Sequence, residues 1–418
     1  MKLRPHSTFI PRQTPRFDDN TSFYFGIDVR NIDCSQLDLS AYNAQHFTFD
    51  YKTVWPTDPA KMPKDFDPQA IMELHKNPGL GIHELHKRGL TGKGLSIAII
   101  DQLLADHKEY HDNLVHYEEI GYDDPRCSSK AGAMHGSAVA SLAVGKTCGV
   151  APDAKLYYFA ANTRVDANNN LIPYEKGKVS SHNFARAVER IIDINTELIK
   201  KGEKPIQVVS ISTGWMAEAD KTGEWAKAVK HAQQTGLVIL DSCWFIDYPH
   251  MLDGLGQKYN GDPDKPESYD LWFRTKPKHK NPLCGQEVAF PMNHRTTASP
   301  YSSTGYAHYN AGGFSWKTPY VAGLFLLARQ VNPNVTAKHF YETALKTSSP
   351  TADGIGRIAN PVRLINALQK EHLRSLRRTT NKTQIKSSRG YKGSKLLKKL
   401  AKSVRKRPVR RPQNTPSP

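Results

Sequence analysis

The sequence predicts a three-layer α/β fold, with helices on both faces of a mainly parallel sheet. Three observations predict it. Strand and helix signals alternate through the middle of the chain, the pattern of a doubly wound parallel sheet. The run Leu95-Ser96-Ile97-Ala98-Ile99-Ile100 is almost continuously apolar, as a strand covered on both faces is. Phe184, Val188, Ile191, Ile192 and Leu198 then form a helical stripe, and the strand Ile206–Ser212 follows directly.

Taken in order, residues 1–78 are a polar, aromatic-dotted N-terminal extension. Phe23–Val29 reads as a strand. Asp67 can cap a short helix with Pro68 at its first position. Two readings of this segment stand open: an extension packed on the core, or an inhibitory or cleaved segment. Residues 79–371 hold the α/β domain. Within it, Met134–Ser141 reads as a tightly packed helix start, and Ser180-Ser181-His182 can cap the helix that carries the apolar stripe. Helix Thr222–Gln234 leads to strand Leu237–Leu240. Residues 247–300 are rich in Pro, Asp, Lys and Tyr and read as a long surface excursion that rims the site. Ser315–Val331 is an apolar helix that tolerates Pro319 in its first turn.

Residues 372–418 read as a disordered basic tail. Of 58 Lys/Arg in the chain, 16 lie in 373–418, which has no Asp or Glu. That leaves 42 Lys/Arg against 40 Asp/Glu elsewhere, so the formal charge of +18 belongs to the tail and the core is nearly neutral. A nucleic-acid-binding core is therefore disfavoured. In the tail, Leu396, Leu397, Leu400 and Val404 share one helical stripe among lysines. Such a segment can contact an anionic membrane, an acidic protein or nucleic-acid phosphates.

No apolar run reaches the ~18 residues that span a bilayer. The N-terminus shows no apolar core or cleavage site of a secretory signal. The five cysteines are scattered and odd in number, with no Cys-x-x-Cys spacing. Reduced thiols in a cytoplasm are expected, without a disulfide framework or zinc site.

Three residues carry the chemistry. Asp101 ends the buried strand. His135 opens Met134-His135-Gly136-Ser137. Ser315 follows Gly312-Gly313-Phe314 at the start of the apolar helix. A serine nucleophile needs a histidine to take its proton and a carboxylate to orient that histidine. Asp, His, Ser is one of the few chain orders known for this set.

These stretches resemble the subtilisin-like serine protease family, the subtilases. The resemblance rests on Leu90-Thr91-Gly92-Lys93-Gly94 before Asp101, and on His135-Gly136 with Gly149-Val150-Ala151-Pro152. It continues through Val208–Gly214, Ser315–Gly323, and Gly354–Ile358 with Asn366-Ala367-Leu368. It spans residues 79 to 371. The departures mark a divergent branch. Gln102 and Leu103 stand where the family has a hydroxyl residue and glycine. His-Gly-Ser-Ala stands for His-Gly-Thr-His, and Gly-Phe-Ser-Trp-Lys for Gly-Thr-Ser-Met-Ala.

The resemblance implies a subtilisin-like fold and a serine endopeptidase acting through Asp101, His135 and Ser315 and an acyl-enzyme. The alternative it leaves is a catalytically weak or inactive peptide-binding pseudoprotease. Ser212, Thr213 and Gly214 would pair with an extended peptide or protein substrate. The asparagine that the family places after the strand matching Leu237–Leu240 is missing. Ser242, Asn293 or no residue at all could supply the oxyanion donor. No cofactor and no metal are expected. Some subtilases bind structural calcium, but no matching ligand set stands out. Cleavage preference and oligomeric state are not readable.

Overall fold

The computed structural model describes residues 3–7, 26–123, 131–168, 170–172, 179–271, 287–352, 354 and 356–391, with side chains to 378. The chain falls into two units, 1–368 and 369–418.

The first unit begins with β1 (Ile27–Asp28) and β2 (Phe47–Asp50), then α1 (Pro68–Leu74) and α2 (Ile82–Lys87). Asp67 caps α1 by accepting from Ala70 N at 3.0 Å, and Pro68 sits where a missing N–H does no harm. Strands β3 (Ser96–Asp101), β4 (Leu114–Ile120), β5 (Lys155–Ala161), β6 (Val208–Ile211) and β7 (Val238–Leu240) follow, with α3 (Met134–Val144), α4 (His182–Lys200) and α5 (Glu224–Thr235) between them. These strands form one parallel sheet in the order β4-β5-β3-β6-β7.

The sheet is covered on both faces, which is why β3 shows no polar alternation. Ile97 and Ile99 face the core cluster shared with α3 and with α6 (Phe314–Val331). Ala98 and Ile100 face the cluster built by α4 and α5. The layers predicted from the apolar run are those observed, and the fold is subtilisin-like.

Residues 247–300 correct the expectation of a surface excursion. They contain β8 (Leu252–Gln257), β9 (Tyr269–Leu271), β10 (Val288–Pro291) and β11 (Asn293–Ala298). With β13 (Ser349–Pro350) and β14 (Arg357–Ile358), three of them make a second sheet, β13-β14-β10-β8-β9. Every residue of β10 and β11 is buried. The pattern misled because β11 buries Asn293, His294, Arg295, Thr296 and Thr297, so it lacks the apolar signature of a strand. Residues 272–286 lie outside the described ones.

The N-terminal extension builds its own apolar cluster from Ile27, Val29, Phe47, Phe49, Ile71 and Met72. Trp55 and Phe66 pack on it, their rings 4.9 Å apart. Strand β2 pairs with β12 (Tyr306–Ala311), giving a sheet β1-β2-β12-β11. The strand expected at 23–29 is seen only as Ile27–Asp28, and 23–25 lie outside the described residues.

Helix α7 (Ala337–Thr347) and α8 (Pro361–Tyr391) close the chain. Helix α8 runs further than the tail's composition suggested. Residues 369–389 contain no Pro or Gly and many Lys, Arg, Gln and Leu, all helix-compatible. Residues 392–418, with the Leu/Val stripe, lie outside the described residues. Among those described, no helix is long and apolar enough to cross a membrane, and Cys34, Cys148 and Cys243 are free thiols.

Candidate active site

Asp101 and His135 meet because β3 and α3 approach closely. Asp101 is the last residue of β3 and is 6% exposed. His135 lies in the first turn of α3. Gly136 makes the approach feasible: a Cβ there would stand 2.4 Å from the Tyr158 hydroxyl and 2.9 Å from the Gln102 carbonyl. His135 Nδ1 lies 2.7 Å from Asp101 Oδ1. A carboxylate only accepts, so Nδ1 carries the proton and Nε2 is left as the base. Burial pushes the His135 imidazolium down. The Asp101 charge and hydrogen bond outweigh it, so the imidazole titrates above its usual value.

Ser315 sits at the second residue of α6. Gly313, with φ 62° and ψ −161°, takes a backbone conformation suited only to glycine and turns the chain into the helix. Ser315 Oγ donates to the Ser212 carbonyl at 3.1 Å, and Ser212 Oγ donates back to the Ser315 carbonyl at 3.0 Å. This reciprocal clasp fixes the nucleophile's turn to the end of β6. The hydroxyl is thus bonded to β6 rather than to the imidazole. The indole of Trp316 lies against His135, with ring centroids 5.6 Å apart.

The remaining expected residues fall on both sides of this centre. Thr213 and Gly214 extend β6, and Ser242 N donates to the Thr213 carbonyl at 3.3 Å. A Cβ at Gly214 would stand 2.8 Å from Cys243 Sγ and 3.0 Å from Ser242 Oγ, so residues 242–243 close directly over it. Ser242 therefore adjoins the segment expected to hold substrate. Asn293 is placed differently. Its Oδ1 accepts from Gln257 N at 2.6 Å, which ties β11 to β8.

Sequence reasoning missed Lys317. It is fully buried two residues after Ser315, and its ammonium donates to the Leu252 carbonyl. Burial pushes its pKa down to about 8, against the opposing charges of Asp253, Cys243, Asp241 and Glu287. Asp241 Oδ1 in turn accepts from Cys243 N and Trp244 N at 2.7 and 2.9 Å. The lysine thus ties α6 to β8. A charged residue in the first turn of an otherwise apolar helix was the readable signal. Among the described residues, no group of three or more His, Cys, Asp or Glu is arranged to hold a metal ion.

A parallel α/β sheet with Asp, His and Ser at strand and helix ends defines the class: a fold of the subtilisin type. The model of the Subtilase family matches residues 92–243, which include Asp101 and His135 and end before Ser315. Over that segment the chain is similar to the Subtilase family. No curated protein matches the chain. Three solved structures are similar, each covered over 98% of its own length. The prenylagaramide maturation protease PagA is 17% identical over 69% of this chain, with a TM-score of 0.46. The A-subunit of the AB5 toxin from E. coli is 16% identical over 70%, at 0.47. A protease from Pseudoalteromonas arctica is 15% identical over 72%, at 0.46.

Proposed function

We propose that this chain is a serine endopeptidase. The observation that carries the reading is the Asp101–His135 contact on a subtilase segment, with Ser315 at the start of a buried helix. Ser315 Oγ leaves the Ser212 carbonyl and turns toward His135 Nε2, which takes its proton as the oxygen attacks the peptide carbonyl. His135 then returns that proton to the leaving amine, while Asp101 holds the tautomer and stabilises the imidazolium. The α6 N-terminus presents a partial positive charge to the developing oxyanion.

An extended substrate pairs with Ser212, Thr213 and Gly214, main-chain bonds supplying affinity. A substrate N–H bonding the Ser212 carbonyl would replace Ser315 there. Of the two oxyanion candidates we favour Ser242, because it lies against Gly214 in the segment that would hold the substrate.

Fluorophosphonate labelling tests the reading. Wild type is expected to label covalently, and Ser315→Ala and His135→Ala are not. A folded wild type that takes no label would overturn the protease reading in favour of a peptide-binding protein of the same fold.

A further inference from the structure

The N-terminal segment reaches the catalytic histidine through three side chains. Arg30 follows β1. Its Nε and Nη2 donate to Asp28 Oδ1 and Oδ2, each at 2.8 Å, a bidentate pair that fixes the plane of the guanidinium. Its Nη1 donates to the Tyr309 hydroxyl at 3.0 Å, and the guanidinium carbon lies 5.1 Å from the Tyr309 ring centroid. Tyr309, on β12, is fully buried and meets the Trp316 indole edge-on, with centroids 5.5 Å apart and planes at 85°. Trp316 is 2% exposed and lies against His135.

Two further facts show that packing alone holds the indole. Trp316 Nε1 is buried and has no hydrogen-bond partner among the described residues. No polar contact therefore fixes the ring's orientation. On its other side the ring rests against Gly312, where a Cβ would stand 2.1 Å from it. Tyr309, Gly312 and His135 thus set the position of the residue that directly follows Ser315. Of these, Tyr309 is anchored by a charged group from the N-terminal segment.

We infer that Arg30 is a positioning residue for His135, acting through Tyr309 and Trp316, so that the N-terminal segment is a working part of the active site. This rests on the protease reading. A bidentate guanidinium suits the role because a lysine cannot hold Asp28 at two points and Tyr309 at a third. Releasing Tyr309 frees the indole, and His135 then departs from its 2.7 Å contact with Asp101. Sub-ångström to 1 Å displacements at such a site change rates by up to ~10².

The experiment compares wild type, Arg30→Ala, Arg30→Lys and Tyr309→Phe in the full chain. It has two readouts: the pH profile of the fluorophosphonate labelling rate, and the His135 titration followed by NMR. Arg30→Ala is expected to lower the plateau rate by about ten- to a hundredfold. It is also expected to move the His135 midpoint down, because the Asp101 contact holds it up. Arg30→Lys falls between it and wild type.

Tyr309→Phe keeps the ring and loses only the hydroxyl contact, so it folds if Arg30→Ala does not, and a several-fold smaller plateau is expected. An unchanged midpoint and plateau in folded Arg30→Ala, or in Tyr309→Phe if the former fails to fold, would overturn the inference. That result would leave Arg30 a purely structural tie. The NMR titration does not depend on catalysis. A wild type that takes no label sinks the protease reading, while a shift of the His135 midpoint still speaks for the positioning role.

Discussion

The two halves of the proposed active site are built differently. The acid–base half, Asp101 and His135, rests on the parallel sheet within residues 92–243, the segment that the Subtilase family model matches. Its contact is closed at 2.7 Å. The nucleophile half, Ser315 with its neighbours, lies beyond that segment. There Phe314, Trp316 and Lys317 stand in the serine block, the asparagine is absent, and Ser315 Oγ is bonded to the Ser212 carbonyl. A proton-relay pair needs only two groups at fixed distance on rigid elements. An oxyanion site needs donors aimed at an atom that exists only during reaction. Other side chains can fill the second role if their surroundings change with them.

The contrast is sharpest in Asp101→Asn. It preserves shape but lets the imidazole take the wrong tautomer, and peptide hydrolysis should fall by ~10⁴ in kcat. A loss below about tenfold would show that the Asp101–His135 contact is not the relay.

Ser242→Ala should lower kcat by ~10²–10³ if its position beside Gly214 makes it the oxyanion donor. Asn293→Ala is the matched control. It removes the acceptor of Gln257 N, so it should lower stability by about 1–3 kcal/mol in denaturant unfolding while leaving kcat within a few-fold. The reverse pattern would reassign the donor to Asn293.

Gly312→Ala places a methyl group where the Trp316 indole lies. Hydrolysis should fall by about tenfold or more as the indole shifts toward His135. An unchanged kcat would show that the indole's position is indifferent to the reaction.

The pH dependence of activity belongs to the acid–base half. His135 must be neutral to act as base, and Asp101 raises its pKa. The rate should therefore rise with pH through a midpoint above the usual histidine value of ~6.5. The same group adds stability that is present below ~6.5 and lost as pH rises through its folded midpoint.

An opposite effect on stability should come from a cluster of three buried histidines. His75, His294 and His308 are buried with ring centroids 5.0–5.8 Å apart. Burial holds all three below their usual value, His75 at about 4, with Arg295 adding to it for His75 and the neighbouring histidines adding to it for His294 and His308. His46 adds to the depression at His294, and Tyr259 donates no proton to the cluster but offers its carbonyl to His75 at 3.1 Å. The unfolded chain binds these protons first, so stability should fall as pH drops from ~6.5 toward 4. Denaturant midpoints measured across that range check it, and His308→Phe should flatten the slope.

The sequence determined the layers of the fold because the alternation and apolar runs of β3, α4 and β6 record burial locally. It also singled out Asp101 and His135, which the structure brings to 2.7 Å, because each sits in a short motif. It did not show that β10 and β11 are buried strands, since β10 is only 4 residues long and β11 carries polar side chains whose contacts lie far along the chain, such as Gln257 for Asn293 and the Pro78 carbonyl for Arg295. Nor did it show the path from Arg30 through Tyr309 and Trp316 to His135, or the charges around Lys317. Arg30 and Tyr309 are 279 residues apart, and no local periodicity encodes a contact of that separation. Only the tertiary structure could link the N-terminal segment to His135.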